Sequence, residues 1–138
     1  MIEYGNEIST DEYNSLRKSV GWKELDAAQA RRGLDNSMLV VVARRDGEAV
    51  GSARVIGDGG YMYFIADVMV RPDCQRLGVG KAMLVRINEW LEMVGKDGLC
   101  VMANLMATKG NEGFYEKLGF TSRPNEEMGA GMVKWINP

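Results

Sequence analysis

The sequence predicts an α/β (α+β) fold in which a mixed, mostly antiparallel sheet of about six to seven strands is flanked by about four helices. Three observations carry this. Residues 61–70 are rich in aromatic and β-branched side chains, and Pro72 forbids a central strand from continuing. From Val79 onward, Val79, Met83, Ile87, Trp90, Leu91 and Val94 recur at three and four residues, the spacing of one buried helix face. Residues 99–103 then form a short apolar run, and strand, helix and strand in that order favour a right-handed parallel crossover.

The other elements follow in order. Residues 2–6 suit a short first strand, and Ser9 with Glu12 has capping-box spacing for a helix running to about Val20. Gly21 and Trp22 break it, and residues 24–34 resume a helical pattern. Residues 38–43 and 49–56 read as strands joined by the hairpin pair Asp46-Gly47. A helix is expected over residues 112–118, stopped by Gly119, and residues 120–123 and 132–136 are expected to close a last hairpin-like pair.

At 138 residues the chain suits one domain over residues 1–138, long enough to bury roughly two-thirds of its unfolded surface. Its N-terminal residues are acidic and lack the basic-then-apolar order of a signal peptide, so a cytoplasmic, non-membrane protein is expected. A net charge of −2 gives no electrostatic reason to bind nucleic acid. Two cysteines are too few for a disulfide framework or zinc site, and the absence of histidine excludes Ser-His-Asp and Cys-His catalysis. No metal is expected.

The junction after residue 70 is the most informative stretch. A strand feeding a glycine-bearing loop into a helix N-terminus makes an anion site, because the first-turn N–H groups have no intrahelical partners. Gln75, Arg76, Leu77, Gly78, Val79, Gly80 and Lys81 supply that loop, with positive charge at Arg76 and Lys81. A Walker loop would need Gly where Gln75 stands and Ser or Thr in place of Ala82, and a dinucleotide fingerprint would need a small residue in place of Met83. Both patterns fail.

Gln75-Arg76-Leu77-Gly78-Val79-Gly80 resembles the pyrophosphate loop of the GCN5-related N-acetyltransferase (GNAT) superfamily, Gln/Arg-x-x-Gly-x-Gly/Ala. Forty residues on, Phe114-Tyr115-Glu116-Lys117-Leu118-Gly119-Phe120 resembles that family's late helix and following strand. The resemblance implies a GNAT fold with a splayed strand pair at the cofactor cleft, acetyl-CoA as co-substrate, and cofactor contacts from residues 75–81 and from the backbone of Val68, Met69 and Val70. The Asn that many relatives carry seven residues before the Tyr is Thr108 here, a departure, and Asn111 at the start of the short helix is placed near the cofactor instead. It implies Tyr115 as the acid that meets the leaving thiolate, with ordinary packing as the alternative. Asp67 sits where the family opens the sheet with a bulge, and is either a base or substrate-orienting group or a residue that fixes the bulge. Trp22 either lines the amine site or packs.

An acceptor alkylamine with pKa near ~10.4 is only about 0.04% neutral at pH 7, a deficit of roughly 4–5 kcal/mol, so a base or a water chain is needed. The implied function is transfer of an acetyl group to a primary amine of a small molecule. A protein or peptide acetyltransferase and a non-catalytic acyl-CoA-binding module are the alternatives. The apolar run at residues 132–136 suits an edge strand, for which a homodimer would supply cover.

Overall fold

In the computed structural model, which describes residues 1–138, strands β1 (Ile2–Gly5), β2 (Leu39–Arg45), β3 (Glu48–Gly57), β4 (Met62–Val70) and β5 (Met102–Leu105) lie side by side in chain order. The first four are antiparallel neighbours, and β5 runs parallel to β4 across the crossover expected from the sequence. With helices α1 (Thr10–Ser19), α2 (Ala27–Asp35), α3 (Val79–Val94) and α4 (Glu112–Glu116) this is the predicted fold class, on five strands rather than six to seven.

The chain divides into two compact units, residues 1–105 and 106–138. In the first, α1 and α2 bring Ile8, Tyr13, Leu16, Ala30 and Leu34 onto Val42, Ala49 and Met69 of the sheet. Helix α3 buries Val79, Met83, Ile87 and Leu91 of the stripe its periodicity predicts, and Leu84 beside them, while Trp90 and Val94 are only partly buried. Its first turn can lie close because Gly51 on β3 has no side chain: a Cβ there would stand 3.2 Å from Val79 Cγ1 and 3.0 Å from the Met69 carbonyl oxygen. Asp46 and Gly47, at φ 52° and 81°, turn β2 into β3 as the Asp-Gly pair requires.

Boundaries differ from expectation where side chains intervene. Helix α2 begins at Ala27, not near Glu24, because the Asp26 carboxylate accepts the Gln29 N–H at 3.0 Å and fixes the cap. Strand β5 begins at Met102, whose N–H donates to Tyr61 O at 2.7 Å. The three residues before it follow the turn at Lys96–Gly98 and have no ladder partner.

Glu12 ties the start of α1 to the sheet. Ser9 Oγ accepts the Glu12 N–H at 3.1 Å and Glu12 Oε1 accepts the Ser9 N–H at 3.0 Å, completing the capping box. Arg44 on β2 grips the same carboxylate at 2.6 and 3.0 Å. The Arg44 guanidinium, opposed by partial burial and helped by Ser9, lowers Glu12 from its ordinary 4.5 to about 2. A depressed carboxylate stabilises the fold fully above its unfolded value and loses that contribution as pH falls through 4.5 towards 2. Because the pair is about a third exposed, solvent screening cuts its contribution. Glu12→Ala is expected to cost about 1–2 kcal/mol at pH 7 by urea unfolding, with the deficit shrinking below pH 4.5.

In the second unit, α4 ends at Gly119, φ 97°. The expected final hairpin does not form: no strand follows β5. Residues 122–129 fold instead into a self-closed loop with a cis Arg123–Pro124 peptide. There the Asn125 side chain accepts the Glu127 and Met128 N–H groups, and Arg123 Nε donates to Gly129 O at 2.7 Å. These local bonds close the connection between the two expected strands on itself. Met132, Val133, Trp135 and Ile136 are left exposed.

Candidate active site

Strand β4 ends at Val70, and Pro72–Cys74 make a single 3-10 turn that buries Cys74. The chain re-enters a helix at Val79 through Gly78, which caps α3 in the left-handed region at φ 78°. Gln75, Arg76, Leu77 and Gly78 are exposed between the buried anchors Cys74 and Val79.

Most helix N-caps present a Ser, Thr, Asp or Asn oxygen that occupies the first free N–H groups. Gly78 presents none, the first turn carries no acidic residue, and the Ala82 N–H is the first to bond back, to Gly78 O at 3.0 Å. The amides of Val79, Gly80 and Lys81 are therefore without intrahelical partners. Arg76 and Lys81 are exposed and enter none of the chain's ion pairs, so their charge is available to a ligand. Gln75 turns the other way, and its Nε2 donates to Val70 O at 3.0 Å, which braces the loop against the strand end.

The strand leading into this loop is interrupted where the family resemblance implies a bulge. Ser52 and Arg54 on β3 face Met69 and Ala66 on β4, so the single residue Ala53 opposes both Asp67 and Val68, which makes a β-bulge. Asp67 takes φ 54° to form it. The β4–β5 ladder stops at Ile65 and Leu105, leaving residues 66–70 of β4 with no ladder partner on that side. This is the splayed pair, and Val68, Met69 and Val70 lie along its open edge.

Asp67 is not a free carboxylate. Its Oδ2 accepts from the Tyr13 hydroxyl at 2.5 Å and from Arg54 Nε at 2.8 Å, and Arg17 Nη1 stands 3.6 Å from Oδ1. Burial, and then the Asp67 carboxylate, push the Tyr13 phenol above its usual 10, so it stays a donor at neutral pH. Trp22 belongs to the same cluster: the Arg17 guanidinium lies 5.6 Å from its ring centroid, and the ring packs against the α1–α2 core. Of its two readings, this arrangement favours packing.

In the second unit Tyr115 is buried, its ring edge-on to Phe114 at 5.0 Å and to Phe120 at 6.1 Å. Burial raises its phenol above 10, so the proton an acid must donate is in place at neutral pH. Phe114 itself is exposed. Asn111 is the N-cap residue of α4 and makes no side-chain cap bond.

The model of an acetyltransferase (GNAT) domain matches residues 36–122, more than half of the chain and both motifs. This chain belongs to the GNAT acetyltransferase family. It is 33% identical over 92% of its length to GCN5-related N-acetyltransferase 1, chloroplastic, of Arabidopsis thaliana. It is 31% identical over 88% of its length to serotonin N-acetyltransferase 2, chloroplastic, of rice. It spans 64% and 60% of those two relatives. A crystal structure of a probable acetyltransferase from meticillin-resistant Staphylococcus aureus superposes with a TM-score of 0.85 at 25% identity, over 98% of this chain and all of that one. No helix of this GNAT chain is long and apolar enough to cross a membrane. Both named relatives are chloroplastic, so they lend no support to the cytoplasmic expectation.

Three residues that sequence reasoning passed over, Tyr13, Arg17 and Arg54, complete the surroundings of Asp67. One signal was present: Arg54 stands in a strand whose other residues are largely buried, and a charge there needs a partner.

Proposed function

We propose that residues 1–138 form one N-acetyltransferase domain that moves the acetyl group of acetyl-CoA onto a primary amine of a small molecule by direct attack. The observation that carries this reading is the uncapped N-terminus of α3, presented by an exposed loop directly after a strand whose last residues lack a partner. The diphosphate of coenzyme A would rest on the Val79, Gly80 and Lys81 amides, with Arg76 and Lys81 adding charge. The pantetheine arm would lie along residues 68–70, and Asn111 would stand near it.

One backbone N–H from Val68, Met69 or Val70 polarises the carbonyl as it becomes tetrahedral, a contribution of ~2.7–4 kcal/mol in a dry cleft. Tyr115 gives its proton to the departing thiolate. With Asp67 held by Tyr13 and Arg54, the ammonium form of the amine passes its proton along a water chain to bulk solvent before the neutral amine attacks.

Thiol release from acetyl-CoA, measured against a panel of serotonin, a polyamine, an aminoglycoside and a lysine peptide, tests the reading. At least one small amine is expected to exceed the peptide about tenfold in kcat/KM. A reversed preference would make the chain a protein acetyltransferase, and coenzyme A binding with no thiol release would make it an acyl-CoA-binding module. The same proposal includes a homodimer covering Met132, Val133, Trp135 and Ile136, each at least 69% exposed. Light scattering is expected to give twice 15.3 kDa.

A further inference from the structure

We propose that Asp67 is a positioning residue: with Tyr13, Arg17 and Arg54 it pins the β4 bulge in its left-handed conformation and so fixes where the Val68 and Met69 amides point. Only the consequence for catalysis rests on the acyl-transfer reading above; the pin itself is a matter of geometry.

A residue with a Cβ at φ 54° is strained unless its surroundings hold it there. Asp67 is held by three side chains from two other elements. Tyr13 and Arg17, one turn apart on α1, reach it at 2.5 and 3.6 Å, and Arg54 on β3 reaches it at 2.8 Å. The holders are themselves fixed. Arg54 Nη1 donates to Gly33 O at 3.1 Å and Ser37 Oγ at 3.3 Å, which brings in α2. Arg17 Nε donates to Lys23 O at 2.7 Å, and its guanidinium lies over the rings of Tyr13 and Trp22.

The carboxylate is thus the point at which α1, α2, β3 and β4 meet. Arg17, Arg54 and Asp67 are only 15–18% exposed, where ion pairs are less screened than at the surface. Two donors fill both lone-pair directions of Oδ2. Oδ1 accepts no hydrogen bond and faces the Arg17 guanidinium at 3.6 Å, so the carboxylate is anchored through Oδ2 and neutralised at Oδ1, an arrangement suited to holding a backbone in place.

Asp67→Ala and Asp67→Asn separate the two roles, because Asn retains an oxygen acceptor and tolerates the left-handed region while Ala does neither. For a pin, Asp67→Ala lowers kcat at least tenfold, Asp67→Asn stays within about fivefold of the parent with the parent's pH profile, and both keep coenzyme A affinity within threefold. A base predicts that Asn and Ala lose a similar factor of ~10² or more and that the acidic limb of the kcat profile disappears; that outcome overturns the proposal. Tyr13→Phe, a milder change that leaves the fold's core volume intact, is expected to lower kcat about threefold or more, and an unchanged kcat there also overturns it. A parent that releases no thiol with any amine refutes the transfer reading alone. The pin is then decided by crystal structures of Asp67→Ala, or of Tyr13→Phe if the former does not fold. Residue 67 is expected to leave the left-handed region, and a φ still near 54° refutes it.

Discussion

A Tyr115→Phe protein is expected to bind coenzyme A with the parent's affinity and to turn over about a hundredfold more slowly. The phenol ring is buried between Phe114 and Phe120, and Phe keeps that packing while removing only the hydroxyl. General acids of this kind contribute about 10²–10⁴ in rate. Because burial raises the Tyr115 phenol above 10, kcat should not fall through loss of this proton until the pH passes 10. Thiol release at saturating amine gives kcat, and calorimetric titration with coenzyme A gives the affinity. A variant as fast as its parent would show that Tyr115 only packs.

Gly78→Val is expected to show the opposite pattern, a loss of coenzyme A affinity of about tenfold or more in a protein that still folds. Space is not the obstacle, since a Cβ at Gly78 would meet nothing within 4 Å. The obstacle is the backbone: φ 78° is left-handed, and a β-branched residue there costs roughly 1–2 kcal/mol or more. The loop relieves that strain by turning the first amides of α3 away from a common point, and each hydrogen bond to a charged group so lost is worth about 1.5–3 kcal/mol. Gly78→Ala is the graded control, with a smaller loss in the same direction. Calorimetry reads the affinity, and thermal unfolding verifies that the sheet survives. Unchanged affinity in a folded Gly78→Val protein would mean that the diphosphate does not rest there.

Much of this site is legible without coordinates because it is built from local constraints. Pro72 cannot continue a central strand, Gly78 permits a left-handed turn at no steric cost, and the apolar spacing from Val79 sets the face on which α3 is buried. The loop between them is consequently placed to within a residue or two. The last hairpin was legible only as a propensity. The apolar run at residues 132–136 marks a segment that would pair if a ladder were offered, and the Asn125 and Arg123 side chains close the preceding loop on itself instead.

Asp67 marks the same divide inside the site. Its place on the strand, and the bulge expected there, follow from the sequence and its family resemblance; its occupation does not. Tyr13 lies 54 residues away and Arg54 13 residues away, and no periodicity connects them to a carboxylate. The sequence by itself determined the order of elements, the uncapped helix start and the exclusion of histidine chemistry, all consequences of which residue follows which. Only the tertiary structure decided that α1 and β3 deliver a phenol and two guanidinium groups to one carboxylate, because long-range charge pairing depends on how the helices settle on the sheet.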